Sequence, residues 1–219
     1  MMLIADGWRP KVHLERRSGM DPVERYLGEV VEMVESLPRD AIWRVVEAVM
    51  EARERGKQVI LLGNGGSAAT ASHMACDLAK TSIVPGAPRI RAISLTDNVP
   101  LMTAWANDVA YEEIFAQQLA NLVQEGDLVI AISGSGSSPN VLRAVEVARA
   151  AGARTVGFTG HPGGRLKDVV DISVIVPSRR IEQAEDAHLI LDHAISVALR
   201  EVESLRGSAS GEGGPEQMG

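Results

Sequence analysis

Two loops rich in glycine and serine contain the residues of this sequence that are best suited to bind an anion. The first spans 63–67 (GNGGS) and the second 133–140 (SGSGSSPN); each follows an apolar run and precedes a helical pattern. Glycine lets the backbone turn sharply and approach an anion closely, while Ser67 and Ser138 lie where helix N-caps are expected. Because a helix N-terminus offers free N–H donors and a partial positive charge, both loops are predicted to bind phosphate.

Two other interpretations of these loops follow from their glycines. Gly63, Gly65 and Ala68 also fit the G-x-G-x-x-A pattern of dinucleotide-binding folds. In those folds an acidic ribose ligand lies about 20 residues after the glycines, whereas the first acid after the second predicted strand is Asp97, well beyond that distance. Neither loop has the Gly-Lys-Ser/Thr of a triphosphate-binding loop, so no nucleotide cofactor is predicted. Both loops could be ordinary tight turns before capped helices, although two at one sheet edge favour a ligand site.

Candidate proton-transfer residues follow the first loop and recur near the end of the chain. His73 and Asp77 are four residues apart in a helical pattern, so both project from one face. Glu185 and His193 lie in the last helical segment with His188, which we interpret as a packing or interface residue. Imidazoles and carboxylates are common general acids and bases. A His–Asp pair on a helix is also common as a surface ion pair, and the acids around Glu185 could form a solvated face.

An alternation of strands and helices must position these residues. The predicted strands are 58–62, 90–94, 128–132, 155–158 and 172–176, and the predicted helices are 67–80, 99–106, 111–123, 138–151 and 181–205, preceded by two amphipathic helices that start near 21 and 40. The alternation predicts an α/β fold with a parallel sheet and helices on both faces. Right-handed crossovers then bring every strand-to-helix loop to the carboxyl edge of the sheet, where ligands bind.

The composition of the chain excludes several classes of protein and of binding partner. The 219 residues are 45% hydrophobic and 3% aromatic, which suits the aliphatic core of a parallel sheet. A formal net charge of −7 argues against nucleic acid or an anionic membrane as a partner. The single cysteine, Cys76, excludes an intrachain disulfide and is expected to be a small buried residue. The sequence shows no signal peptide or membrane-spanning run, so a cytoplasmic location is expected.

The chain is predicted to form one domain with two appendages. Residues 1–20 show no sustained period and are predicted to be a disordered N-terminal segment, 21–206 form the domain with its helical extension, and 207–219, which are low in apolar residues, form a disordered tail. The two helices before the first strand exceed what a minimal sheet needs. We therefore expect them to pack on a partner subunit.

Three motifs carry a specific family resemblance. The GNGGS loop, the ISLTDN stretch at 93–98 and the AISGSGSSPN stretch at 131–140 occur in an order that resembles the SIS (sugar isomerase) domain family, and within it the phosphoheptose isomerases. The resemblance runs from the N-terminal helices to about residue 205. It implies a three-layer αβα sandwich with a five-stranded parallel sheet, and a homotetramer whose active sites lie at subunit interfaces.

The resemblance implies a reaction as well as a fold. Phosphoheptose isomerases interconvert sedoheptulose 7-phosphate and D-glycero-D-manno-heptose 7-phosphate, an aldose–ketose isomerisation through an enediol that supplies nucleotide-activated heptose synthesis. In such a reaction a base removes a proton from the carbon beside the carbonyl. An acid or a metal ion stabilises the enediolate oxygen.

The site residues implied by the resemblance fall into three groups. Phosphate would be held by Ser133, Gly134, Ser135 and Ser138, and Gly134 stands where the family often has a threonine. The sugar would be contacted by Asn64, Gly65, Gly66, Ser67, Thr96, Asp97 and Asn98. The zinc ligands of some members correspond to His73, Asp77, Glu185 and His193. Of these, the candidate catalytic residues are Asp77, Glu185 and His193.

Two departures from the family pattern keep a second function open. Asp77 stands where the family has glutamate, and Glu185 where it has glutamine; both keep oxygen donors for a divalent ion, but aspartate is one methylene shorter. The retained His73 and His193 favour an isomerase. The alternative is a non-catalytic SIS protein that binds a sugar phosphate or a protein partner, as the initiator-associating relatives do. An etherase or aminosugar enzyme is disfavoured because the chain is a single SIS unit.

Overall fold

A central sheet of five parallel strands carries the fold. The computed structural model describes residues 21–211, with the side chains of 21–207, so the predictions for 1–20 and for the end of the tail lie outside the described residues. The strands are β1 (Gln58–Gly63), β2 (Arg91–Ser94), β3 (Leu128–Ser133), β4 (Arg154–Gly160) and β5 (Ile172–Val176), in the order β2-β1-β3-β4-β5. All four pairings are parallel, which confirms the predicted α/β sandwich.

Helices cover both faces of this sheet. They are α1 (Pro22–Glu35), α2 (Arg39–Glu54), α3 (Gly66–Cys76), α4 (Val99–Asp108), α5 (Ala116–Leu122), α6 (Pro139–Ala150), α7 (Leu166–Val169) and α8 (Ile181–Gly211), the last of which continues beyond its predicted end near 205. A π turn, Asp77–Thr81, extends α3, and a 3-10 turn, Tyr111–Glu113, precedes α5. Within residues 21–211, no helix combines the length and the apolarity that a membrane span requires.

Two aliphatic cores fill the spaces between the sheet and the helices. Along β1, Val59 and Leu61 belong to the core against α2, α3 and α8, whereas Ile60 and Leu62 belong to the core against α5 and α6. Alternate residues of a strand point to opposite faces of the sheet. Because helices cover both faces, every residue of β3 is buried.

The strand order brings the two loops side by side. From β1 the chain moves outward to β2 and then returns to β3, on the other side of β1. In the register of β1 and β3, Gly63 lies opposite Ile132. The loops that follow these strands therefore leave the same carboxyl edge. A reversal of strand order of this kind opens a crevice, in which α/β proteins bind their ligands.

Two local features differ from the predicted pattern. The predicted helix 111–123 is interrupted: Tyr111–Glu113 form a 3-10 turn, the fully buried Ile114 and Phe115 follow, and the α-helix begins only at Ala116. Cys76 is exposed rather than buried. The reason is that α3 turns the face carrying Met74 to the core, and Cys76 lies on another face of the helix.

Candidate active site

A pocket lies between the two loops at the carboxyl edge of the sheet. Its volume is about 180 Å³, and it is lined by Asn64, Ser67, Ile132, Ser133, Gly134, Ser135, Ser138, Ile181 and Glu185. Pockets that enclose a whole drug-sized ligand start near ~300 Å³, so this pocket suits one end of a sugar phosphate. All four residues predicted to hold phosphate line it.

The second loop presents a group of hydroxyls to this pocket. Ser133 Oγ lies 3.3 Å from Ser138 Oγ and 3.5 Å from Ser135 Oγ. Ser138 is the residue before α6, but its side chain makes no cap hydrogen bond, so its hydroxyl is not used to close the helix. Pro139 takes the first helical position, where a missing N–H is tolerated. Hydroxyls beside a helix N-terminus suit a phosphate group.

The first loop allows close approach of the backbone. Gly65 has a φ of +55° and precedes α3, which begins at Gly66, so Ser67 lies inside the first turn rather than at the N-cap expected from the sequence. A Cβ on Gly63 would meet the carbonyl oxygen of Ser67 at 2.7 Å and that of Ile132 at 2.9 Å. The junction of β1, α3 and β3 therefore has room only for glycine.

Paired amides join the two loops. Asn64 Nδ2 donates to Asn140 Oδ1 at 2.9 Å, and Asn140 Nδ2 donates to Asn64 Oδ1 at 2.8 Å. The Tyr111 hydroxyl donates to Asn64 Oδ1 at 3.1 Å. Asn64 is a predicted sugar contact, and its amide is engaged with the opposite loop. Asn140 and Tyr111 are absent from the predicted site; Asn140 lies within the SGSGSSPN motif, whereas no sequence signal marks Tyr111.

The ISLTDN stretch lies beside α3 and outside the lining of the pocket. Thr96 Oγ1 lies 2.8 Å from Ser72 Oγ, and the Ser72 hydroxyl also donates to Asp97. Asn98 caps α4, with its Oδ1 accepting from the Leu101 N–H at 3.2 Å. These three predicted sugar contacts thus have partners within the chain, and their contact with a sugar stays a prediction.

Glu185 lies at the pocket, against the N-terminus of α3. A Cβ placed on Gly66 would collide with its carboxylate, and Glu185 lines the pocket together with the serines. The partial positive charge of a helix N-terminus favours a carboxylate in this position. Glu185 is therefore held at the first loop.

The remaining predicted residues gather at the other end of α3. His73, Asp77, Asp192 and His193 each direct one ligand atom into a common space, and these atoms all lie within 4.8 Å of one another. His73 Nε2 is 3.1 Å from His193 Nε2, and Asp77 Oδ2 is 3.7 Å from His73 Nε2 and 3.9 Å from His193 Nε2. The structure thus brings three of the four predicted metal ligands together, with Asp192 as the fourth member of the group in place of Glu185.

Asp77 begins the π turn, which orients its carboxylate. The Thr81 hydroxyl donates to Asp77 Oδ1 at 2.9 Å, and Oδ2 is the oxygen nearer the two histidines. The Ser82 N–H donates to the Asp77 carbonyl at 2.9 Å, with the five-residue spacing of a π turn. π turns are frequent at functional sites. In metal sites, a hydrogen bond from a neighbouring residue that does not bind the metal keeps the ligand side chain in its orientation.

Asp192 is the buried member of the cluster. Its side chain is 0% exposed, and neither carboxylate oxygen has a hydrogen-bond partner within 3.5 Å among the described residues, although the buried Ser196 hydroxyl is close enough to lower the pKa of Asp192. Burial, and next the negative charge of Asp77, raise the pKa of Asp192 to about 7. A buried carboxylate needs a cation or hydrogen-bond donors beside it, so its unpaired oxygens fit a bound metal ion.

The donor set of the cluster suits a divalent metal ion. Two imidazole nitrogens and two carboxylate oxygens are ligand types of tetrahedral zinc, and bonds of about 2 Å would separate such ligand atoms by ~3.3 Å. The separations of 3.1 to 4.0 Å between the closest pairs bracket this value. The cluster is therefore able to hold a metal ion.

His188 lies in the core. It is fully buried, and its ring centroid is 6.0 Å from that of Phe158. Burial lowers the pKa of His188 to about 4, so the imidazole is neutral at physiological pH. These observations agree with the packing role expected from the sequence.

Known proteins resemble this chain in both sequence and fold. A family model described as the SIS domain matches residues 24–160. The phosphoheptose isomerase of Trichlorobacter lovleyi is 39% identical over 171 residues, which cover 77% of this chain and 85% of that protein. A solved phosphoheptose isomerase from Francisella tularensis has a TM-score of 0.76 at 31% identity, over 82% of this chain and 96% of that one. One from Neisseria gonorrhoeae has a TM-score of 0.76 at 26% identity, over 82% and 97%.

Proposed function

Because the chain belongs to the SIS domain family, we propose that it is a phosphoheptose isomerase that interconverts sedoheptulose 7-phosphate and D-glycero-D-manno-heptose 7-phosphate. The observation that carries the proposal is the position of a hydroxyl-lined pocket and a cluster of histidines and aspartates at the two ends of one helix, α3. Relatives that are 39% and 31% identical bear that enzyme's name. The product would serve nucleotide-activated heptose synthesis.

The serine loop is the proposed phosphate site. The hydroxyls of Ser133, Ser135 and Ser138 donate to the phosphate, and the N-terminus of α6 adds partial positive charge. The amide pair of Asn64 and Asn140 holds the two loops at a fixed separation, so the donors are in place before the ligand arrives. The sugar then extends from the pocket along the first loop and the ISLTDN stretch.

Proton transfer is assigned to Glu185, His193 and Asp77. Isomerisation moves one proton between adjacent carbons and one between their oxygens. Glu185 lines the pocket, and its carboxylate takes the proton from one carbon and returns it to the next. In the absence of a bound metal ion, His193 exchanges the oxygen-bound proton, and Asp77, 3.9 Å away, balances the charge of its imidazolium form.

The cluster is the proposed site of one zinc ion, held by His73, Asp77, His193 and one further carboxylate, for which the sequence predicts Glu185. The chemistry that zinc supplies when bound is Lewis-acid polarisation of a carbonyl oxygen. The chain's own contribution is to hold the imidazoles with Nε2 toward the common space and to orient Asp77 through Thr81. No nucleotide cofactor is proposed.

A homotetramer with shared active sites is the proposed assembly. α1 exposes Val23, Leu27 and Val31 at four-residue spacing, and an apolar groove along α8 includes Trp43 and has His193 among its lining. Exposed apolar surface of this kind marks interfaces between proteins. Light scattering after size-exclusion chromatography should give the mass of four chains, and the mass of one chain would contradict the assembly. The cytoplasmic location stays a prediction.

Turnover of sedoheptulose 7-phosphate is the direct test. The full chain, with and without added zinc, should produce the aldose phosphate, observed by NMR. Ser133→Ala should raise KM by ~10- to 100-fold, because a hydrogen bond to a charged group is lost. Ser137→Ala is the matched control, since Ser137 belongs to the same loop but does not line the pocket.

The second candidate is a non-catalytic protein that binds a sugar phosphate or a protein partner. The shorter side chain of Asp77 is the observation that favours it. No product in either condition, with sedoheptulose 7-phosphate still bound in calorimetry, would contradict the isomerase and support this candidate.

A further inference from the structure

We propose that Asp192, which no sequence motif marks, is the fourth ligand of the metal site, and that Glu185 lies outside the ligand set. This inference deepens the proposed function, on which it rests for the presence of a metal ion. It separates the roles of two carboxylates on α8. Asp192 would bind the ion, while Glu185 stays at the sugar pocket.

The burial of Asp192 is the first observation that points to a cation. The side chain is 0% exposed, and among residues 21–207 neither of its oxygens has a hydrogen-bond partner within 3.5 Å; the buried Ser196 hydroxyl is a neighbouring donor but carries no charge. A carboxylate in this state is costly to bury unless a positive charge lies beside it. No lysine or arginine forms an ion pair with Asp192 among the described residues; its nearest basic atom is His73 Nε2, at 4.0 Å.

The arrangement of the four side chains is the second observation. His73 and His193 are 46% and 54% exposed, whereas Asp192 is fully buried and Asp77 is 16% exposed. The carboxylates therefore form the inner side of the common space and the imidazoles its outer side. The two imidazole nitrogens lie 3.1 Å apart, within hydrogen-bond distance of each other rather than of a carboxylate. An ion bound by both nitrogens would also bind the buried carboxylate.

The geometry of α8 explains why Glu185 does not take this place. Glu185 and Asp192 are seven residues apart, so they lie on the same face but about 10.5 Å apart along the helix axis. α8 packs along α3, and each carboxylate meets a different end of it. Glu185 meets Gly66 at the start of α3, and Asp192 meets His73 near its end.

The proposed ligand set determines the charge of the site. Asp77 and Asp192, with neutral His73 and His193, bring two negative charges to a divalent ion. Two carboxylates bind the ion more tightly by Coulomb attraction than one would, and they leave it less positive toward a substrate.

Zinc titration of the metal-stripped full chain, against a competing chelator, tests the assignment. Asp192→Asn should weaken zinc binding by ~100-fold or more, beyond the loss typical of residues that only support a ligand. Glu185→Gln should change the zinc affinity little. Glu201→Gln is the matched control, because it removes an exposed carboxylate from the same helix outside the cluster.

A second variant keeps the test decisive if Asp192→Asn does not fold. Asp192→Glu retains the carboxylate but moves it by one methylene, so the absorption spectrum of the cobalt-substituted protein should shift relative to wild type. Loss of zinc binding in Glu185→Gln, or wild-type zinc affinity in a folded Asp192→Asn, would overturn the assignment. An unchanged cobalt spectrum in Asp192→Glu would do so as well.

The titration also separates this inference from the proposed function. A wild-type chain that isomerises sedoheptulose 7-phosphate but binds no zinc contradicts the ligand assignment and supports the isomerase. A chain that binds zinc through Asp192 but gives no product contradicts the isomerase and supports the ligand assignment.

Discussion

The two ends of α3 satisfy their polar groups in opposite ways. At its start, beside the carboxylate of Glu185, neutral groups pair with one another: Asn64 with Asn140, and the serine hydroxyls among themselves. At its end two imidazole nitrogens face each other, and the buried Asp192 has no hydrogen-bond partner among the described residues. The neutral network is complete once the chain folds, whereas the buried carboxylate of the cluster would be stabilised by a cation beside it. The start of α3 is thus held together by the chain alone, and the cluster at its end is able to hold an ion.

Removal of an imidazole tests the cluster at the end of α3, which we call the charged end, and has the largest expected effect. His193→Ala should lower the kcat of isomerisation by ~100- to 10,000-fold, because a proton-transfer group and a metal ligand are lost together. Steady-state kinetics with sedoheptulose 7-phosphate measures the change. His161→Ala, at an exposed histidine outside the cluster, should keep kcat near wild type. A His193→Ala variant as active as this control would contradict the prediction.

The second prediction concerns the buried, neutral imidazole of His188, in contrast to the buried carboxylate of Asp192. Its pKa of about 4 in the folded chain lies below the ordinary 6.5, so the unfolded chain binds the proton first as the pH falls. The stabilisation is fully present above pH 6.5 and is lost between about pH 6.5 and 4, by up to ~3 kcal/mol. Urea unfolding across this range should show a flatter pH dependence for His188→Leu. Parallel curves for the two proteins would refute the argument.

The hydrogen bond from Thr81 to Asp77 tests how far zinc binding by the cluster depends on the orientation of the Asp77 carboxylate. Thr81→Val removes the donor to Asp77 Oδ1 and should weaken zinc binding by ~10- to 100-fold, the usual effect of such supporting residues. Thr103→Val is a suitable control, because the Thr103 hydroxyl donates only to carbonyls of its own helix. Equal zinc affinity in the two variants would show that Asp77 needs no such support.

The amide pair of Asn64 and Asn140 tests the hydrogen bonds between the two loops at the start of α3. Its removal has the smallest expected effect. A double-mutant cycle of Asn64→Ala and Asn140→Ala should give a coupling energy of ~1 kcal/mol in urea unfolding, the net value of ordinary neutral hydrogen bonds. Zinc affinity should not change in either variant. A large loss of zinc binding would mean that the two ends of α3 are not independent.

The fold and the position of the two loops could be predicted from the sequence because local patterns decide them, whereas the amide pair of Asn64 and Asn140 could not. A strand buried on both faces appears in the sequence as a continuous aliphatic run, as in β1. A parallel sheet brings its strand-to-helix loops to one edge, and this does not depend on how the individual helices pack. The break at Ile114 and Phe115 could not be predicted, because helical periodicity does not distinguish a 3-10 turn from the first turn of an α-helix.

The charged end could be predicted only in part. His73 and Asp77 follow from helical spacing after the first loop. On α8, however, the family resemblance selects Glu185, and periodicity places Glu185 and Asp192 on the same face, so neither signal marks Asp192. The choice depends on how α8 lies along α3, which sets one carboxylate against Gly66 and the other against His73.

The π turn at Asp77–Thr81 ties the backbone and the side chain of Asp77 to the same turn. The Ser82 N–H donates to the Asp77 carbonyl, and the Thr81 hydroxyl donates to Asp77 Oδ1. The winding of 77–81 and the orientation of the carboxylate are therefore coupled. A substitution that alters this turn is expected to move Oδ2 away from the two histidines without changing any residue of the cluster.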